Sequence, residues 1–316
     1  MRRSTPLFAA LATLFLVAAC DQHTSPPTAP RLSVGSPSFS VAKTDPADSA
    51  LLAKMLEMNQ QLASMGLSIA VEEVEFFTIG GGRSGVRIHQ QPFRWVPNDP
   101  RRLADGTNIT YLFDQSAGAT LSGLTSAQTE AAFDAALSTW ATDPALKKVQ
   151  IIKRPAPGTD VTIFDFFFGF GGFGNPFAAD IVEAGFLPRA FFQAVTGSGR
   201  NVLAFSATFI FVSGGVPTDI NGDNYLDTAL NEVYFNNTFG DPANDRAGNP
   251  WGINVALPGV DVQTVALHEN GHSLELGHFG PPPIAVMNPV YRGIRQTPFP
   301  SDDAGMNAVW SSWPNP

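Results

Sequence analysis

The chain has 316 residues, room for one large domain or two small ones, and 44% hydrophobic with 15% charged residues allows a sizeable core. A formal net charge of −9 argues against nucleic acid as a partner, which needs a basic face. The single cysteine excludes an internal disulfide, and no repeat of solenoid length is visible.

Residues 1–19 read as a signal peptide, with "MRR" as the positive start and an apolar run too short to span a bilayer. The run ends in "VAAC", which resembles a bacterial lipobox and makes Cys20 the lipidated first residue of the mature protein. The protein is then expected to be exported and anchored by that lipid to a bacterial membrane or cell surface. Residues 20–44 are rich in Ser, Pro and Thr and cannot bury enough apolar area to offset their ordering entropy. They read as a disordered tether, with His23 a solvated residue in it.

Residues 45–100 read as a small α-β region, either a pro-region or an N-terminal layer of the main domain. Pro46 suits a first helical position, Leu51, Met55, Met58, Leu62 and Met65 form an apolar stripe, and Gly66 can end the helix. "LSIAVEEVEFFTI" then alternates like a strand until "GGGRSG" breaks it. His89 has no assigned role.

Residues 105–316 form the expected main domain. "TNITYLFD" is a strand, and the helix after it opens with Thr125 and Gln128 at capping-box spacing. "KKVQIIKRP" and "NVLAFSATFIFV" supply further strands, so the order is that of an α/β (α+β) fold. Between them Phe164, Phe166, Phe167 and Phe168 read as a buried strand running into a glycine-rich loop, with an apolar rim as the sharper alternative.

"DINGDNYLD" alternates oxygen-bearing residues: Asp219, Asn221, Asp223 and Asp227, with Tyr225 available through its carbonyl. Calcium takes hard oxygens at such positions, so this loop is a possible calcium site, although Leu230 stands where a bidentate glutamate is usual and only Glu232 is near. A solvated turn rich in Asp and Asn is the plain alternative.

"HENGHSLELGH" carries three of the five histidines. On a helix His268 and His272 face the same way and can grip one zinc, and Glu269 beside the first is placed to take a proton from a water that the metal acidifies. The third ligand is His278 or Glu275. Glu275 stays on the same helical face but about 10.5 Å along the axis from His268, an awkward span for one ion. His278 requires a turn back, for which Gly277 can supply the left-handed residue.

This spacing resembles the metzincin zinc proteases, and "HSLELGH" is closest to the matrixins among them. In that group glycine normally occupies the Glu275 position, so the turn departs from the pattern here. "AVMNPVY" resembles the matrixin Met-turn, placing Met287 beneath the zinc with Tyr291 just after it. "SDDAGMNAVW" resembles the closing helix, where Asp302 or Asp303 supports the Met-turn backbone.

The resemblance implies a metzincin-like domain with a twisted mixed sheet, a long first helix and a zinc-binding helix. It also implies a zinc-dependent metalloendopeptidase acting as a monomer on peptides laid along an edge strand, expected near 201–212, and it adds structural calcium. A different class of function, a non-catalytic surface lipoprotein whose metals only hold it together, would use the same ligands with a closed metal site. A zinc hydrolase of non-peptide substrates would be separated only by substrate screening.

Overall fold

The computed structural model describes residues 46–102, 106–243 and 248–314. The signal peptide, Cys20 and the tether with His23 lie outside the described residues.

Helix α1 (Pro46–Ser64) buries Leu51, Met55, Met58 and Leu62, while Met65 stays exposed and Gly66, at φ 78°, ends it. Strand β1 (Ile69–Ile79) follows and is antiparallel to the short β2 (Gly85–Arg87). After β3 (Phe93–Arg94) come β4 (Ile109–Phe113) and α2 (Ser126–Ala141). The expected capping box at Thr125 and Gln128 is formed in full.

Next are β5 (Ile151–Lys153), β6 (Ile181–Leu187), α3 (Arg189–Thr196) and β7 (Val202–Ser213). Then β8 (Val216–Pro217) leads into β9 (Leu226–Asn236). The C-terminal part holds β10 (Trp251–Gly252), β11 (Val260–Asp261), α4 (Val262–Ser273), β12 (Val290–Tyr291) and α5 (Pro300–Trp310).

The main sheet runs β12-β1-β7-β9-β6-β4-β5. Only β7 opposes the others along this path, so the sheet is mixed. Side chains alternate between its faces as strand geometry requires. Phe77, Val233 and Phe235 join the core beneath α2, α4 and α5, whereas Phe76 and Tyr234 join the core beneath α1 and α3. The α/β class with a mixed sheet, a long helix after β4 and a histidine-bearing helix is as expected.

Two expectations change. The phenylalanine run is a single 3-10 turn (Asp165–Phe168) rather than a strand. Its carboxyl partner explains this: Glu232 of β9 accepts the N–H groups of Ile163 and Phe164, satisfying them without a neighbouring strand. Phe164 is buried, while Phe166 stays 37% exposed. Strand β7, expected near an edge, is interior, because β1 pairs along its outer side from Ile69 to Thr78.

Candidate metal centre

Asp261 starts α4 by accepting the N–H and hydroxyl of Thr264, and its own N–H donates to the Tyr291 hydroxyl. The helix is buried almost all round, and Trp140 of α2 donates its indole N–H to the Leu267 carbonyl. Gly271 has a reason that spacing alone does not give. A Cβ there would lie 2.3 Å from Met287 Sδ, so glycine lets the methionine sit against the helix between the two imidazoles' turns.

The helix ends in a Schellman turn. Leu276 N–H donates to Gly271 O at 2.9 Å, and Glu275 N–H donates to His272 O at 2.8 Å. The left-handed residue is Glu275 itself, at φ 75°, and not Gly277. A side chain in this conformation costs about 1 kcal/mol or more. Its carboxylate accepts the Thr228 hydroxyl at 2.8 Å and the Trp95 backbone N–H, which holds the turn from outside. Glu275 therefore shapes the turn and faces away from the histidines.

The turn brings His278 back. Its Nε2 lies 3.0 Å from His268 Nε2 and 3.2 Å from His272 Nε2, and the latter two are 3.1 Å apart. A tetrahedral zinc with Zn–N bonds of about 2.05 Å holds its nitrogens about 3.3 Å apart, close to this triangle. The outer nitrogens are engaged by backbone: His268 Nδ1 donates to Val286 O and His272 Nδ1 to Leu276 O, each at 2.7 Å. That fixes the tautomers with both Nε2 lone pairs pointing inward. The donor set fits zinc.

Burial, reinforced by the neighbouring imidazoles, holds His268 well below the usual histidine range, and burial brings His278 down to about 4. Both are neutral at pH 7, the ligand form. For His272 burial is outweighed by the Glu75 carboxylate, which lifts it to about 9, so a cation at Nε2 replaces a proton there. Glu269 has no exposed surface, and neither oxygen has a hydrogen-bond partner. Burial, with Glu75 and Glu183 adding charge, pushes its carboxyl well above the usual range.

Met287 is fully buried, and Asp302 rather than Asp303 supports its turn, accepting Val286 N–H at 2.8 Å and Met287 N–H at 3.1 Å. Sequence reasoning missed the strand that covers the centre. The Phe77 ring stacks on the His268 ring at 3.8 Å, and Glu75 Oε2 lies 2.6 Å from His272 Nδ1. The alternation of "EEVEFF" places Glu75 and Phe77 on one face but gives no sign of what they meet. His89, left without a role, pairs with Glu72 at 2.6 Å.

The acidic loop is organised differently. Asp219 accepts the N–H groups of Gly222, Asp223 and Asn224, and Asp223 accepts that of Tyr225. Asp227 is paired with Arg101 at 2.7 Å, and Asp223 lies 3.6 Å from Arg94. Asn221 Oδ1 is buried without a partner. Among the described residues, the histidine triad is the group of three potential ligands brought together.

Compared with known proteins, residues 102–311 match the family model described as Matrixin. No match is found among curated proteins.

Proposed function

Because the chain belongs to the matrixin family of zinc metallopeptidases, we propose that it is a zinc-dependent metalloendopeptidase with Glu269 as its general base. The observation that carries this reading is the inward triangle of Nε2 atoms from His268, His272 and His278, with the unpartnered Glu269 carboxylate on the same helix. When bound, zinc supplies Lewis acidity, acidifying a water and polarising the scissile carbonyl. Glu269 takes the proton of the attacking water and returns it to the leaving amine, with no other hydrogen-bond partner competing for its carboxylate oxygens. Met287 and Asp302 keep the floor of the centre fixed, and the two backbone carbonyls keep the imidazoles aimed.

Structural calcium at Asp219, Asn221, Asp223, Tyr225 and Asp227 is a further part of this proposal. Its support is the alternation of oxygens and the free Asn221 Oδ1, with Asp227 already committed to Arg101. Lipid anchoring at Cys20 rests on the N-terminal pattern alone, and Cys20→Ser should move the protein from the membrane fraction to the soluble one. Unchanged membrane retention would remove that assignment.

The test of the activity is hydrolysis of a mixed peptide library by the purified protein. Cleavage should disappear with a zinc chelator and return with added zinc. Cleavage indifferent to the chelator, or none by any zinc-loaded form, would reject the reading.

A further inference from the structure

Between α4 and the sheet lies a buried acid that the peptidase mechanism leaves unused. Glu183 stands within β6, flanked by Phe113 of β4 and Val233 of β9, and has no exposed surface. Asn270, next to Glu269 on α4, is equally buried and donates its Nδ2 to Glu183 Oε1 at 2.6 Å. The same nitrogen donates to Ala266 O at 2.9 Å, so both amide hydrogens are engaged and the orientation of the amide is fixed. Two oxygens are left over, because Glu183 Oε2 and Asn270 Oδ1 are both buried without a partner. Both are acceptors, and what they lack is one hydrogen.

Taking the centre as a peptidase site, we propose that Glu183 is a positioning residue for Glu269. It is a neutral acid whose Oε2–H donates to Asn270 Oδ1, so two hydrogen bonds clamp α4 to the sheet beside the general base.

A single proton satisfies both stranded oxygens, and a primary amide and a carboxylic acid pair readily through two bonds of this kind. The surroundings favour that proton. Asp134 faces Glu183 from α2, Tyr111 from β4 and Glu269 from α4, while β9 presents Val233. Among the described residues no cation is set against it, and Lys153 of β5 is engaged by Glu130 and Asp134. Burial, against the pull of the Asn270 bond and with a push from Asp134, lifts the carboxyl to about 8.

Loss of the proton undoes the clamp. The second bond disappears, Oε2 and Oδ1 are stranded, and an unpaired charge is buried where it adds to the charge pressing on Glu269. The folded chain holds this proton more tightly than the unfolded one, whose glutamates titrate at about 4.3. The stability that the pair contributes is therefore complete below that pH and is lost as pH rises through about 8.

The experiment compares the zinc-loaded full chain in three forms: the parent, Glu183→Gln, and Glu183→Leu combined with Asn270→Leu. Glutamine returns both bonds to Asn270 without a proton to lose, whereas the two leucines keep the site filled and remove the bonds. Three readouts are followed across pH. They are kcat and KM for the best-cleaved peptide of the library, thermal denaturation, and the infrared carbonyl stretch of un-ionised carboxylic acids.

The parent kcat should fall about tenfold by one pH unit above the Glu183 transition. Glu183→Gln should rescue activity at neutral pH, lack that fall, and gain in melting temperature over the parent as pH rises. It should also lack part of the parent's carboxylic-acid infrared band. The double leucine variant should lose at least tenfold in kcat at neutral pH with KM kept. Superimposable pH profiles and infrared bands for the parent and Glu183→Gln would overturn the proposal. If no form cleaves any peptide, the peptidase reading fails by itself, and the infrared band with the melting difference still decides whether Glu183 holds the proton. Should the double leucine variant not fold, the glutamine comparison decides the matter alone.

Discussion

The histidine centre and the acidic loop both gather ligand-type atoms within a dozen residues, and they differ in where the other half of each group is engaged. In the centre the outer nitrogens of His268 and His272 are bonded to carbonyls, which leaves the inner lone pairs without protein partners. In the loop the carboxylates of Asp219 and Asp223 already accept the loop's own N–H groups, and Asp227 is paired with Arg101. Spacing gathers the ligands in both regions. Only the hydrogen bonding decides whether a cation completes the region or competes with bonds already made.

Three changes sharpen that contrast. The largest effect is expected from Asp302→Ala, which strips the acceptor from the buried N–H groups of Val286 and Met287 and from the half-buried N–H of Phe299. With each orphaned donor costing about 1 kcal/mol or more, the loss should be about 3 kcal/mol. That corresponds to a fall of about 6–12 °C in thermal denaturation for a domain of this size. Zinc affinity should fall with it, and an unchanged melting curve would mean the Met-turn is not what braces the histidines.

In the loop, millimolar calcium should raise stability by about 1 kcal/mol through selective binding to the folded state. Asp219→Ala with Asp223→Ala should abolish the response. No shift in the parent protein would leave the loop a turn held by its own bonds, and a shift of several kcal/mol would erase the contrast drawn above.

The smallest effect belongs to Glu275→Gly. It removes the left-handed strain but also the bond to Thr228, so stability should change by less than about 1 kcal/mol while zinc and activity persist. Measured loss of zinc from this variant would show that Glu275 matters to the metal after all.

The parts legible in the sequence are those whose causes are local. The capping box at Thr125, the facing of His268 and His272 and the return of His278 follow from helix periodicity and a tight turn. Glycine adopts the left-handed conformation at no steric cost, so the sequence points to Gly277 as the residue that turns the chain. The outcome turned on Thr228 and Trp95, partners 47 and 180 residues away that hold Glu275 in that conformation. The role of β1 was hidden for the same reason. Its alternation announces a strand, but which edge it takes is decided by β7 and β12, far along the chain. The phenylalanine run misled because Glu232, also distant, satisfies its backbone.

The most direct test separates catalysis from metal binding at one side chain. Glu269→Gln keeps the shape of helix α4 and leaves all three imidazoles in place. Elemental analysis should find about one zinc per chain, as in the parent, while peptide cleavage falls by about 10²–10⁴-fold, the usual cost of losing a general base. A zinc-loaded Glu269→Gln protein that cleaved peptides at the parent rate would contradict the account at its centre.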